Sequence, residues 1–177
     1  FLVSRIVGHE GKVIGVDLSE DMLDLATRNA QKGSYSNVEF VKGDIEDLPL
    51  DAQIADHVIS NCVINLSLDK AAVYREAYRV LKAGGRLAIS DIILEKELPD
   101  FVKQSLASHI ACIGGAEPLQ DYLQYIQDAG FREIKVVAKS NFPLELTLTD
   151  PQVMKIAKEM DFNLNSEEAK DLASRVS

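Results

Sequence analysis

At 177 residues with 46% hydrophobic content, the chain is long enough for one domain with a substantial core. Its formal charge of -9, from 19 basic against 28 acidic side chains, argues against nucleic acid or an anionic membrane surface as partner. No apolar run approaches the roughly 18 to 20 residues of a membrane span, no signal or transit peptide is visible, and two cysteines without CxxC spacing do not make a disulfide framework, so a reducing, cytoplasmic setting is the default.

Residues 1–7 (FLVSRIV) read as the last turns of a helix ended by Gly8. They open in mid-pattern without an initiator Met, so the chain is expected to be a piece of a longer protein. Residues 9–11 form a turn, and residues 12–17 (KVIGVD) a strand ending in an acidic residue. Ser19 caps a helix that carries Met22, Leu23, Ala26 and Ala30 on one buried face and stops at Gly33. Strands over 38–41 (VEFV) and 55–60 (ADHVIS) flank a loop over 44–51. Both runs are short and apolar, and they stop at Gly43-Asp44 and Asn61-Cys62, as buried strands of a parallel sheet do. Asp69 caps a helix to about Lys82 whose Val73, Ala77, Val80 and Leu81 face the sheet, Gly84-Gly85 breaks it, and residues 86–94 form a fourth strand. Helices over about 99–113 and 119–129 end at Gly114-Gly115 and Gly130, before a strand over 133–139 (EIKVVAK). After Pro143 come two amphipathic helices. One starts at Asp150-Pro151 and uses Val153, Ile156 and Met160; the other starts at Ser166 and uses Leu172 and Val176.

This alternation predicts an α/β fold with a doubly wound, mostly parallel sheet and right-handed crossovers. The first strand with its glycine loop and the closing strand are expected to be missing. Residues 1–140 form the core and residues 141–177 a helical extension of the same domain. Ligands of such sheets sit beyond the carboxyl ends of the strands, a rim that holds Asp17, Asp44, Asn61 and Cys62. By position Asp17 suits ribose hydroxyls, and Asp44 an adenine amino group with Ile45 against the ring. Capping and turn formation explain both aspartates as well, and a dinucleotide-binding domain would use Asp17 in the same way. Cys62 and Cys112 fit plain packing as readily as ligation. His57 is expected to be a core histidine and His9 a surface turn residue. His109, one turn before Cys112, is expected to pack. Asn65, Ser90 and Asp91 either support the site or cap loops; Glu117, Asp121 and the acidic runs near Glu46 and Glu167 are read as solvated.

The strings GVDLSEDMLDLA, VEFVKGDIEDLP, ADHVISN and YRVLKAGGRLAISD, in this order and in register over about residues 1–140, resemble the class I S-adenosylmethionine-dependent methyltransferases, a Rossmann-like fold. The resemblance implies S-adenosyl-L-methionine as cofactor. Asp17 would hold the ribose, Leu18 and Met22 line the adenine, Asp44 and Ile45 hold it, and Asn61 lie near the methionine portion. The family's glycine-rich loop is expected upstream of Phe1. SNCVINLSLDK and HIACIGGA are similar to the arsenite methyltransferases, which implies that Cys62 and Cys112 bind trivalent arsenic as arsenite or its thiol conjugate. Arsenic in that state is thiophilic. Two or three sulfurs can hold it with its lone pair outward, aimed in line at the sulfonium methyl, and no base is needed at arsenic. The third ligand would come from upstream, from a small thiol, or be absent. The two sulfurs are expected to approach each other at the carboxyl rim. Two other functions stay open. One is methyl transfer to carbon or oxygen of a small organic acceptor of the quinone-biosynthesis type, with the cysteines only packed. The other is a thiol module that binds arsenic or another soft metal without turnover. Nothing here resembles the catalytic residues of a nicotinamide-dependent oxidoreductase, and oligomeric state is not legible.

Overall fold

The computed structural model describes residues 1–95, 115–140, 166 and 171. The helix expected over 99–113 and the two C-terminal helices therefore lie outside the described residues, as do Cys112, His109 and Glu167. Helix α1 (Leu2–Val7) ends at Gly8, whose φ of +70° suits glycine. It leads into strand β1 (Val13–Asp17), helix α2 (Glu20–Lys32) and strand β2 (Val38–Lys42). Asn37 locks this beginning together. Its amide donates to the carbonyls of Ser4, Gly8 and Gly11 at 3.1, 2.7 and 3.1 Å, and its Oδ1 accepts the buried Ser4 hydroxyl. One side chain thus satisfies the carbonyls that the short helix and its turn leave open.

Helix α2 forms where expected because Ser19 Oγ accepts from Met22 N at 3.4 Å, with Glu20 and Asp21 at the positive end of the helix dipole and Lys32 at the other. Ala30 is buried and Leu23 and Ala26 half-buried, whereas Met22 is exposed and does not belong to the packed face. Strands β1 and β2 pair in parallel from Val13 opposite Val38 to Asp17 opposite Lys42.

The second half holds strand β3 (Ala55–Asn61), a 3-10 turn (Ile64–Leu66), helix α3 (Lys70–Val80), strand β4 (Leu81–Ser90) and helix α4 (Leu119–Asp128). Asp69 Oδ1 caps α3 by accepting from Ala72 N at 2.9 Å, and Val73, Ala77, Val80 and Leu81 are buried as their spacing predicts. Strand β4 differs from expectation at both ends. It begins at Leu81, directly after α3, and Gly84-Gly85 lies within it as an irregularity where the register shifts between Ala55 and His57. Gly84 has φ +79°, so glycine admits the kink without breaking the strand. At the far end β4 stops at Ser90. Ile92, Ile93 and Leu94 are buried but leave the sheet, and Leu94 N donates to Glu117 O at 2.9 Å, fixing the approach to α4.

Two further expectations are corrected. Residues 133–139 form no strand: every one is exposed, and no partner strand edge meets them among the described residues. His57 is exposed, so it is not a core histidine. The main core cluster comprises Ile64, Val73, Tyr74, Ile93 and Tyr122, with Ile45, Leu87, Ile89, Leu119 and Ile126 packed around it. Tyr74 and Tyr122 meet edge to face at 6.2 Å, a geometry that aromatic quadrupoles favour.

All described strand pairing is parallel, in keeping with the α/β class, but it forms two separate pairs, β1–β2 and β3–β4. Residues 43–54 strap the halves together. Leu48 N donates to Glu76 Oε2 at 2.8 Å, and Arg79 donates to the carbonyls of Leu48 and Leu50 at 2.9 and 2.8 Å while pairing with Glu76.

Candidate active site

Asp17 closes β1, and Gly43 N donates to its carbonyl at 3.1 Å, so Asp44 follows beside it on the same rim. Asp17 is exposed. Its Oδ1 accepts from Ser19 N at 2.8 Å, and among the described residues its other carboxylate oxygen accepts no hydrogen bond. Leu18 and Met22 flank it, 60% and 52% exposed, two apolar side chains beside a carboxylate open to a ligand. Gly43 allows a close approach that no side chain would: a Cβ there would lie 2.4 Å from Pro49 Cδ. Asp44 Oδ1 accepts from Glu46 N at 2.9 Å, a local turn bond, and Ile45 packs against the core cluster.

The other rim follows β3 and β4. Asn61 is exposed and stands opposite Ser90, and Cys62 N donates to Ser90 O at 2.8 Å. Cys62 is half-buried and has φ +59°, a left-handed conformation uncommon for a residue with a Cβ. Three residues on, Asn65 is 3% exposed. Its Nδ2 donates to Ile92 O at 2.8 Å, and its Oδ1 accepts the Tyr122 hydroxyl, which also lies 3.2 Å from Asp91 Oδ2. One hydroxyl proton thus faces two acceptors. Burial pushes the Asp91 carboxyl above its ordinary value, against the hydrogen bonds from Ile92 N–H and the Tyr122 hydroxyl, which favour its charged form. Burial also pushes the Tyr122 phenol far up, so it stays a donor. Buried Lys70 pairs with Glu117 Oε1 at 3.3 Å and sits 3.4 Å from Ser67 O, which binds the start of α3 to the approach of α4. Gly115 packs directly on this turn: a Cβ there would lie 1.8 Å from Asn65 O.

Glu46 links the rims. It is no solvated acid, because its Oε1 accepts the Ser67 hydroxyl and the backbone N–H groups of Leu68 and Asp69 at 2.7, 2.9 and 3.1 Å. These bonds, Ser67's first, hold its carboxyl below the usual range. Glu117 is likewise half-buried and ion-paired where a solvent-facing residue was expected, while Asp121 and His9 are exposed as expected.

The structure therefore places Asp17, Leu18, Met22, Asp44 and Ile45 on one rim and Asn61 and Cys62 on the other. The approach of Cys62 to Cys112 falls outside the described residues. Among those residues, no cluster of three His, Cys, Asp or Glu side chains is placed to hold a metal ion. A cavity of about 540 Å³ between α2 and β2, lined by Thr27, Ala30, Gln31, Tyr35, Val38 and Phe40, shares no residue with either rim. Sequence reasoning missed Tyr122 and Lys70. The only available signal was the spacing of Leu119, Tyr122 and Ile126, which puts the tyrosine on the packed face of α4.

A family described as "Methyltransferase domain" matches residues 1–133. An arsenite methyltransferase of Halobacterium salinarum is 40% identical over 139 residues, which cover 78% of this chain and 36% of that protein. Another, of Aquipseudomonas alcaligenes, is 36% identical over 155 residues, covering 83% of this chain and 44% of that protein. An arsenic(III) S-adenosylmethionine methyltransferase of Chlamydomonas reinhardtii superposes with a TM-score of 0.74 at 32% identity, over 89% of this chain and 55% of that one. The chain thus spans between 36% and 44% of the length of these two curated relatives.

Proposed function

From the premise that the chain belongs to the methyltransferase-domain family, of the class I S-adenosylmethionine-dependent fold, we propose that it forms the cofactor and acceptor rims of an arsenite methyltransferase. The observation that carries this reading is Cys62, half-buried in a left-handed turn at the carboxyl end of β3. It stands in a chain similar to proteins named arsenite methyltransferases.

The residues present fit the cofactor. Asp17 offers a carboxylate oxygen to ribose hydroxyls, and Leu18 and Met22 present apolar surface beside it. Asp44 and Ile45 would bound the adenine. Ile45 is fixed by its core contacts and so gives a rigid wall. Asn61 would face the methionine portion. When bound, S-adenosylmethionine supplies an activated methyl group on a sulfonium sulfur.

Arsenic is the substrate, and the chain's part is to grip and orient it. Cys62 and Cys112 are its proposed ligands, since thiolates suit a soft, thiophilic centre. Support for their convergence comes from Gly115, three residues past Cys112 in sequence, which packs on Asn65, three residues past Cys62. Three peptide units span at most about 11 Å. With the acceptor carrying its own lone pair, the chain needs no base at arsenic. Its contribution is orientation, which in favourable cases lowers a barrier by about 7–11 kcal/mol. The substrate is a small molecule, arsenite or its thiol conjugate, and the proposed setting is the cytoplasm. No helix among the described residues is long and apolar enough to cross a membrane.

The test is S-adenosylmethionine consumption by the full-length protein with and without arsenite, for wild type and Cys62→Ser. Arsenite-dependent turnover that Cys62→Ser abolishes is the expected result. Turnover of an organic acceptor that survives Cys62→Ser would favour the quinone-type enzyme. Arsenite binding without any methyl transfer would favour the sequestering module.

A further inference from the structure

The turn that carries Cys62 is held from below, at a distance from the thiol. Cys62 occupies the left-handed region, at φ +59°. Residues with a Cβ adopt that conformation uncommonly, Ser34, Gln53 and Glu133 being the other cases among the described residues, and such outliers are enriched at functional sites. Two fixed points impose it here. On one side, Cys62 N donates to Ser90 O at 2.8 Å. On the other, the 3-10 turn Ile64–Leu66 is anchored by the buried Asn65, whose amide donates to Ile92 O and whose carbonyl oxygen accepts the Tyr122 hydroxyl. Tyr122 comes from α4, far along the chain, and also meets Asp91 Oδ2 at 3.2 Å. Its hydroxyl thereby ties the turn after β3 to the segment after β4.

We infer that Tyr122, acting through Asn65, is a positioning residue for the Cys62 thiol. This rests on the reading of Cys62 as an arsenic ligand and adds the device that aims it. Without the Tyr122 hydroxyl, Asn65 Oδ1 loses its buried donor and the turn its far anchor. The left-handed Cys62 can then relax toward ordinary backbone, and the thiol leaves the orientation that the substrate requires. Tyr74 provides the internal comparison. It lies in the same cluster, touches Tyr122 edge to face, and is 0% exposed, but its hydroxyl has no hydrogen-bond partner among the described residues.

The experiment uses full-length Tyr122→Phe, Tyr74→Phe, Asn65→Ser and Cys62→Ser. Arsenite and S-adenosylhomocysteine affinities are read by calorimetry, and the alkylation rate of Cys62 by iodoacetamide is read by peptide mass. Tyr122→Phe is expected to weaken arsenite binding about tenfold, the effect of one buried hydrogen bond. It should raise the alkylation rate of Cys62 and keep S-adenosylhomocysteine affinity within about twofold. Asn65→Ser removes the anchors from the other end and should lose as much, so the inference stays testable if one variant fails to fold. Tyr74→Phe should bind arsenite as wild type does. If Tyr122→Phe keeps wild-type arsenite affinity while Cys62→Ser abolishes it, the positioning role is wrong and the ligand reading stands. If Tyr74→Phe loses as much as Tyr122→Phe, the effect is general loosening of the core and the inference falls. If Cys62→Ser itself binds arsenite normally, the ligand reading fails first.

Discussion

Replacing Asp17 separates a capping role from the proposed cofactor role, because one carboxylate oxygen holds the start of α2 and the other is the one proposed to meet the ribose. Oδ1 accepts the Ser19 N–H at 2.8 Å and so supports the start of α2, while the other oxygen accepts nothing among the described residues. Asp17→Ala removes both functions. The exposed bond to Ser19 contributes about 0.5–1.5 kcal/mol of stability. Hydrogen bonds from a ribose to a charged carboxylate contribute about 1.5–3 kcal/mol each, so losing even one weakens binding roughly 10- to 150-fold. Asp17→Asn keeps an oxygen for Ser19 but loses the charge and one acceptor. It should therefore melt like wild type and still bind the cofactor poorly. The assay is titration calorimetry with S-adenosylhomocysteine on the full-length protein, beside a thermal melt of each variant. If Asp17→Ala keeps wild-type affinity and only its melting temperature falls, Asp17 is a cap and the cofactor assignment of this rim is refuted.

Two more outcomes follow from the packing. The bonds that Glu46 accepts from Ser67, Asp69 and Leu68 lower its carboxyl below the ordinary 4.5, so its contribution to stability is complete above that value and lost as pH falls through the lower, folded-state value. Glu46→Gln should flatten the acid limb of a melting-temperature profile below about pH 4.5; an unchanged limb would show that other carboxylates set it. Gly115→Ala would place a Cβ 1.8 Å from Asn65 O, and relieving that clash should cost about 1–3 kcal/mol or more, read as a lowered melting temperature. A wild-type melt for this variant would mean that the Gly115–Asn65 contact does not constrain the turn.

How far the sequence could be read follows from what kind of information each feature needed. Helices α2 and α3 were legible because Ser19 and Asp69 announce their starts and the apolar spacing repeats their period. Strands β1 to β3 were legible because their apolar runs stop at polar rim residues. Apart from Met22, which the helical spacing put on the packed face and which is exposed, the main errors concern partners that lie elsewhere in the chain. EIKVVAK has the composition of a strand, but a strand also requires a neighbouring edge, which composition does not encode. Gly84-Gly85 looked like a terminator and proved to be a kink inside β4, because its pairing with β3 continues past it. Glu46 looked like one acid in a solvated run until Ser67, Leu68 and Asp69 were brought against it. Tyr122 carried no polar signal at all: its partners, Asn65 and Asp91, precede it by 57 and 31 residues. On the site, the residue types at the rims were readable from where strands end, while the network beneath Cys62 was not.

The strap over residues 43–54 bears most directly on how two separate strand pairs could serve one reaction. Its first residue donates to Asp17 O on the proposed cofactor rim. Two residues later Ile45 enters the cluster that contains Ile64 and Tyr122, the underside of the Cys62 turn. Glu46 then holds the backbone of Leu68 and Asp69, and farther on Leu48 and Leu50 are held by Arg79 near the end of α3. The spacing between the proposed cofactor rim and the proposed acceptor turn is therefore held by side chains packed at both ends of one helix. Methyl transfer by alignment tolerates little error in that spacing, since about 1 Å of misplacement can cost a factor of about 100. On the proposed reading, a rigid strap is what such a reaction demands, and the polar bonds of Glu46 and Arg79 are where that rigidity resides.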